Sequence, residues 1–128
     1  MTGIPLIYVA GPFSAKTREG VEDNIRKATE YGLIVARCGG MPVVPHANTA
    51  HPDYEHAQSY EFWIRGTAKL MCRCDGVLMI PGWELSRGAT SERELAVKIG
   101  LPVHEHREST IGLGETRCWI ENLDGRRK

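Results

Sequence analysis

The chain has 128 residues, of which 41% are hydrophobic and 7% aromatic, and its 16 basic residues balance 16 acidic ones. This composition is typical of a globular domain that buries about two-thirds of the surface of its unfolded chain, and it argues against a disordered or fibrous protein. A net charge of zero removes the long-range attraction that nucleic-acid polymers and anionic membranes exert on basic proteins, so it favours a small-molecule partner.

The first half of the chain alternates between predicted strands and helices. Residues 4–10, IPLIYVA, are rich in β-forming side chains and end at Gly11-Pro12, which predicts a first strand. Apolar residues at helical spacing over 21–35 predict a helix that stops at Gly39-Gly40, where glycine can adopt a left-handed cap. Residues 41–46, MPVVPH, follow as a short strand bracketed by prolines.

The alternation continues in the second half. A loop over 47–58 leads to a predicted helix from Ser59 to about Cys72, and GVLMI at 76–80 is an unalternated apolar strand. Another helix is expected just after Gly88-Ala89, and LPVHE at 101–105 is a fourth strand.

The carboxyl-terminal part of the sequence is less regular. TRCWIENL at 116–123 is compatible with a short helix or a strand, and residues 119–128 are expected to fray in part. We find no repeat or linker, so we expect one domain over 1–128.

Strands that alternate with helices predict an α/β fold, a Rossmann-like three-layer sandwich with a mostly parallel sheet of four to five strands. Ligands of such sheets bind beyond the carboxyl ends of the strands. Three loops should therefore converge at one edge, namely 11–16, 45–50 and 81–92.

The cysteines and the amino terminus bear on location. No apolar run is long enough to cross a membrane and no signal peptide is recognisable, so we expect a cytoplasmic protein. Cys38, Cys72, Cys74 and Cys118 are then free thiols, partly buried as small apolar side chains. The Cys72-x-Cys74 spacing has no second pair of ligands, which argues against zinc.

Glu92 is the residue that the pattern does not explain. It precedes Leu95, Ala96 and Ile99 by three, four and seven residues, which places a carboxylate on the apolar face of a helix. Ser91 and Glu94 fit a capping box, which accounts for Glu94 but leaves Glu92 as a functional candidate. Tyr8 lies inside the first strand, and its hydroxyl needs a partner if it is buried, which Glu92 could supply.

The start of the same helix suits an anionic ligand. Ser86, Gly88 and the first backbone N–H groups could hold phosphate, and Arg87 could add positive charge. The sequence has neither G-x-G-x-x-G nor the P-loop pattern in this loop, which argues against dinucleotide binding and NTPase activity, and no G-x-S-x-G elbow of a serine hydrolase.

The histidines contribute one candidate. His46 ends the second strand, at the expected crevice, although a capping or solvent-facing role is an alternative. His104 and His106 share one face of the fourth strand, but without a third ligand they do not predict a metal site.

Three segments in this order, YVAGPFS (8–14), CDGVLMIPGW (74–83) and SRGATSERELA (86–96), resemble the nucleoside 2-deoxyribosyltransferase-like superfamily. The resemblance spans about residues 4–104 and is greatest to small phage and bacterial members. The superfamily includes the 2'-deoxynucleoside 5'-monophosphate N-hydrolases.

The resemblance implies cleavage of the N-glycosidic bond of a nucleotide or nucleoside, without a metal or organic cofactor. Glu92 would be the nucleophile, Tyr8 would contact its carboxylate, and Ser86 would hold a 5'-phosphate, where enzymes acting on free nucleosides carry aspartate. The expected catalytic residues are thus Glu92, Tyr8 and Asp75. The expected substrate-binding residues are Gly11, Pro12, Phe13, His46, Trp83, Ser86, Arg87, Gly88 and Ala89.

One position departs from the resemblance. The hydrolases carry an aspartate, their presumed acid, eight residues before the position of Asp75, and this chain has Thr67 there. Threonine cannot donate that proton at neutral pH. Another group could substitute, the reaction could be slow, or the protein could bind a nucleotide without cleaving it; the candidate substitutes are Asp75, Glu84, His46 and Asp53.

Other functions therefore stay open, and each makes a different prediction. A deoxyribosyltransferase would exchange bases, a silent sensing module would bind without turnover, and a structural phage or accessory protein would bind no nucleotide. Asp75 has the alternative role of capping the turn before a strand. The resemblance also implies a homodimer or larger homo-oligomer, with Trp63 and Trp119 as possible contacts or ordinary core residues.

Overall fold

The computed structural model describes residues 3–126, which form four strands and six α-helices. The strands are β1 (Leu6–Ala10), β2 (Met41–Val43), β3 (Gly76–Met79) and β4 (Val103–Glu105). The helices are α1 (Arg18–Arg37), α2 (Pro45–Asn48), α3 (Tyr54–Ala57), α4 (Tyr60–Cys72), α5 (Arg87–Lys98) and α6 (Thr110–Arg126), with a 3-10 turn at Trp83–Leu85.

The four strands form one all-parallel sheet in the order β2-β1-β3-β4. Side chains of β1 alternate between its faces: Ile7 and Val9 pack toward α1 and α6, whereas Tyr8 and Ala10 pack toward α4 and α5. The predicted α/β three-layer sandwich with a parallel sheet is therefore confirmed.

Both strands at the edges of the sheet are short. β2 and β4 have three residues each, and the middle residue of β2 is Pro42. The longer strands, β1 and β3, lie in the centre and are covered on both faces.

Helix boundaries agree with the sequence at α1 and differ elsewhere. α1 ends just before Gly39, which has a φ of 95°, as its glycine pair predicts. The segment 47–58, predicted as loop, contains the end of α2 and all of α3, each a single turn. Residues 116–126 belong to α6, the helical alternative for this segment, and residues 127–128 lie outside the described residues.

α5 begins earlier than the capping box predicted. Ser86 is the N-cap, and its side chain accepts a hydrogen bond from the Ala89 N–H at 3.1 Å. The prediction that Ser91 and Glu94 start the helix is wrong, because the backbone of Ser86 is extended and already supplies the cap.

The cysteines and the histidine pair occupy ordinary positions. Cys38 and Cys74 are buried and Cys72 and Cys118 are exposed, all as free thiols, so burial was predicted correctly for half of them. Thr116 is buried between the two histidines, with its hydroxyl 3.1 Å from His104 Nε2 and 2.8 Å from His106 Nδ1.

The described part of the chain contains neither a membrane-spanning helix nor a metal-binding cluster. None of the helices there combines the length and apolar character needed to cross a membrane. The same stretch holds no cluster of three or more His, Cys, Asp or Glu side chains arranged to bind a metal ion.

Gly11 marks where the chain leaves β1 in close contact with β3. A Cβ atom at this position would lie 2.4 Å from Ile80 Cγ1, and Ile80 is 1% exposed. We therefore expect Gly11→Ala to lower the free energy of unfolding by about 1–3 kcal/mol, as overpacking does. Chemical denaturation measures the change.

The control is Gly114→Ala in α6, where an added Cβ meets no atom within 4 Å. That substitution should leave the protein as stable or slightly more stable. Equal stability of the two variants would contradict the close packing of Gly11 on Ile80.

Candidate active site

Tyr8 and Glu92 meet on the face of the sheet that α4 and α5 cover. Tyr8 is fully buried in β1, and its hydroxyl donates a hydrogen bond to Glu92 Oε2 from the second turn of α5. The structure thus brings together the two residues that the sequence singled out. A partly buried carboxylate hydrogen-bonded to a tyrosine is a candidate catalytic pair.

Burial dominates the electrostatics of this pair. Removal from solvent raises the pKa of Glu92 to about 7, and the hydrogen bond from Tyr8 partly opposes that rise. Burial, and then the negative charge of Glu92, raise the pKa of the Tyr8 hydroxyl far above its ordinary value. Near neutral pH, Glu92 can therefore lose its proton while Tyr8 keeps its own.

Thr67 lies beside the pair. Its hydroxyl lies close to that of Tyr8 and donates to the Trp63 carbonyl at 2.8 Å. The side chain that departs from the resemblance is thus a neighbour of Tyr8.

The amino end of α5 presents backbone donors. Ala89 N–H donates to the Ser86 side chain and Thr90 N–H to the Ser86 carbonyl, so the N–H groups of Arg87 and Gly88 are the ones left for a ligand. Glu92 lies five residues beyond Arg87, or about 7.5 Å along the helix axis at 1.5 Å per residue. An anion at the helix start and a sugar at Glu92 can therefore belong to one ligand.

His46 supports the loop that follows β1. It is 5% exposed, and its Nε2 lies 3.2 Å from the Gly11 carbonyl and 2.9 Å from the Pro12 carbonyl. Since carbonyls only accept, Nε2 carries the hydrogen, and burial lowers the pKa of the ring. Its ring contacts Phe13 edge-on at 5.5 Å, so His46 supports this loop, and a direct contact with the substrate stays a prediction.

The Trp83 ring contacts Arg93, a residue of α5. The Arg93 guanidinium lies 5.2 Å from the centre of the Trp83 ring and 3.4 Å from Glu105. Arg93 was not predicted as a site residue, although it is adjacent to Glu92 in the sequence.

Asp75 does not reach this site. It immediately precedes β3, at the amino edge of the sheet, and its carboxylate accepts a hydrogen bond from Leu6 N–H at 2.7 Å. The carboxylate thus connects the start of β1 to the start of β3, a structural role, and the catalytic role of Asp75 stays a prediction.

Tyr54, Phe62 and Trp63 form an aromatic cluster that was not predicted from the sequence. The Trp63 ring lies 5.7 Å from that of Tyr54 and 5.1 Å from that of Phe62, both edge-on. The Trp63 indole N–H is buried and has no hydrogen-bond partner among the described residues. This cluster lies at the amino end of α4, one turn before Thr67.

A cavity of about 590 Å³ lies on the opposite face of the sheet. Lys27 and Tyr31 of α1 line it, together with His106 and Glu108. Because the sheet separates it from Glu92, this cavity is no part of the site described above.

The chain is similar to one protein family in sequence and to two solved structures in fold. The sequence pattern of a protein family described as "Domain of unknown function (DUF4406)" matches residues 5–105. A 2-deoxyribosyltransferase from the psychrotolerant bacterium Bacillus psychrosaccharolyticus superposes with a TM-score of 0.58 at 19% identity, over 87% of this chain and 81% of that one. A conserved protein from Enterococcus faecalis V583 gives 0.61 at 14% identity, over 97% and 99%. No curated protein matches the sequence.

Proposed function

We propose, from the premise that the chain belongs to the DUF4406 family and has the fold of a 2-deoxyribosyltransferase, that it hydrolyses the N-glycosidic bond of a nucleoside 5'-monophosphate. The observation that carries the proposal is the partly buried Glu92 carboxyl group that accepts the Tyr8 hydrogen bond between β1 and α5. The resemblance to the nucleoside 2-deoxyribosyltransferase-like superfamily agrees with the family match and with the structural similarity.

The chemistry follows from an ionised Glu92. Its carboxylate attacks the anomeric carbon while the base departs, and it stabilises the oxocarbenium-like sugar as positive charge develops. Water then displaces the carboxylate and releases the sugar phosphate. Tyr8 orients the carboxylate through the hydrogen bond that it donates.

The phosphate is assigned to the amino end of α5. The N–H groups of Arg87 and Gly88, the helix dipole and the Ser86 hydroxyl can together bind an anion. Arg87 is exposed at the first position of the helix, where its charge can reach the same anion.

Ser86→Ala tests the phosphate assignment. Loss of one hydrogen bond to a charged group should raise KM for a nucleoside monophosphate by about tenfold, with little change for the corresponding nucleoside. Loss of the cap should also lower stability by about 1 kcal/mol. Steady-state kinetics on both substrates measure the difference.

Ser109→Ala is the matched control for this variant. The Ser109 hydroxyl accepts a hydrogen bond from Gly112 N–H at 2.8 Å, at the start of α6 on the other face of the sheet. It should lose comparable stability and keep its KM. A parallel rise of KM in both variants would assign the effect to stability and contradict phosphate binding at Ser86.

Base release measured by chromatography tests the function itself. A panel of ribo- and deoxyribonucleoside monophosphates is incubated with the wild-type protein and with Glu92→Gln. Glu92-dependent release supports hydrolysis, and exchange with an added acceptor base would instead identify a deoxyribosyltransferase. Thermal stabilisation by nucleotides without any release would favour a silent sensing module, the alternative that Thr67 suggests.

A further inference from the structure

A base that leaves as an anion needs a proton. The hydroxyl groups near Glu92 already donate their hydrogens to other acceptors. The Tyr8 hydroxyl donates to Glu92 itself. The Thr67 hydroxyl donates to the Trp63 carbonyl. Glu92 must be ionised to attack, so it cannot also protonate the departing base in the same step.

The other acids suggested by the sequence are either bound to backbone groups or exposed to solvent. Asp75 lies at the amino edge of the sheet, where it binds Leu6 N–H. The Asp53 side chain is 88% exposed, and Glu84 is exposed as well. His46 donates its Nε2 hydrogen to loop carbonyls. None of these four groups is therefore held beside Glu92 to protonate a leaving base.

We infer, resting on the proposed function, that this site acts on 5'-monophosphates whose base carries a formal positive charge in the ring bonded to the sugar. Such bases include a pyridinium and an N7-alkylated purine. They leave as neutral molecules, so the site needs no acid for them.

The step balances without a proton donor. A Glu92 carboxylate oxygen forms a bond to C1', the C1'–N bond breaks, and its electron pair neutralises the positively charged ring. Water then forms the new C1'–O bond, the carboxylate leaves as an anion, and one proton passes to the solvent.

The aromatic cluster supplies a second observation for a cationic base. Since α4 leads into the amino end of β3, its own amino end lies at the carboxyl edge of the sheet, where ligands of parallel sheets bind. Trp63 precedes Thr67 by four residues on the same face, and Tyr54 and Phe62 surround its ring. Positively charged ligands bind to faces of such rings.

The experiment compares guanosine 5'-monophosphate with 7-methylguanosine 5'-monophosphate, which differ by one methyl group and one charge. Nicotinamide mononucleotide is a second cationic probe. Base release by Glu92→Gln is subtracted, because it corrects for the greater intrinsic lability of cationic nucleotides. We expect kcat/KM to be at least about 100-fold higher for the methylated nucleotide, the low end of what a general acid contributes.

Thr67→Asp supplies a carboxyl group beside Tyr8, with Thr67→Asn as the control of similar size without an acid. Thr67→Asp should narrow the ratio between the two guanine nucleotides by about tenfold or more, and Thr67→Asn should not. An unchanged ratio in folded Thr67→Asp would overturn the inference. If that variant does not fold, the wild-type substrate comparison decides alone.

The failures of the two proposals are distinguishable. Glu92-dependent release from guanosine 5'-monophosphate within tenfold of the methylated nucleotide, or from neutral bases only, would overturn this inference and leave the proposed function intact. No Glu92-dependent release from any nucleotide, neutral or cationic, would overturn both.

Discussion

Glu92→Gln is expected to lower kcat for base release by about 10³-fold or more, because an amide cannot form the covalent bond to the sugar. The fold should survive, since glutamine has the same size and its side-chain oxygen can still accept the Tyr8 hydrogen bond. Burial disfavours the ionised form of Glu92, so the neutral amide should leave Tm unchanged or raised above pH 7. Single-turnover kinetics and thermal unfolding measure the two effects.

Glu94→Gln is the matched control. Glu94 lies two residues further along α5 and is exposed, so the same change of charge on the same helix should leave kcat within about twofold, as for surface substitutions generally. Equal losses in both variants would indicate a general electrostatic effect of α5 and would contradict a nucleophilic role for Glu92.

Tyr8→Phe should shift the pH dependence of base release. In the wild-type protein the rate should rise as pH increases through about 7, since Glu92 acts only after losing its proton. Tyr8 lowers the pKa of Glu92 through its hydrogen bond, so its removal should move the midpoint to higher pH. At pH 6 we expect the rate to fall by about tenfold or more, the equivalent of one hydrogen bond to a charged group.

The contribution of Glu92 to stability depends on pH in the opposite direction to the rate. The folded pKa of Glu92 lies above its ordinary value of 4.5, so the folded state binds more protons than the unfolded state between pH 4.5 and about 7. The contribution of Glu92 to the free energy of unfolding is therefore fully present below pH 4.5 and declines as pH rises to about 7. Denaturant unfolding as a function of pH measures it.

Tyr31→Phe is the control for Tyr8→Phe. The Tyr31 hydroxyl donates to Glu108 at 2.5 Å on the opposite face of the sheet, so its loss should leave the activity profile in place. A midpoint in Tyr8→Phe that stays at the wild-type pH would contradict the coupling of Tyr8 to Glu92.

The central features of the fold and the site were predictable because they depend on residue periodicity. Alternation in β1 places Tyr8 opposite Ile7 and Val9, and helical spacing places Glu92 with Ala96 on the inner face of α5. Two side chains that face the same layer from a central strand and its covering helix are brought together by the parallel topology. The sequence therefore predicts that both side chains lie in this layer, and the structure adds their hydrogen bond.

The start of α5 was not predictable from pattern, because two serines fit a cap. Ser91 has an acidic residue three positions later, whereas Ser86 has none. The backbone decides between them: Ser86 is extended and follows a 3-10 turn, so the helix is already under way at Ser91.

Asp75 and His46 show a second limit. Asp75 is adjacent in sequence to the apolar run of β3, but a residue before a strand lies at the amino edge, which the order of elements could have revealed. His46 lies at the carboxyl edge of the sheet, as predicted. Its burial depends on the path of the loop at Gly11 and Pro12. Loop paths are set by tertiary contacts that no local pattern records.

The short edges of the sheet limit how copies of this chain can associate. A neighbour that added a strand beside β2 would find three residues, one of them Pro42, which has no backbone N–H to donate. β4 offers an equally brief ladder on the other side. Fibril-like growth by strand addition is thereby disfavoured.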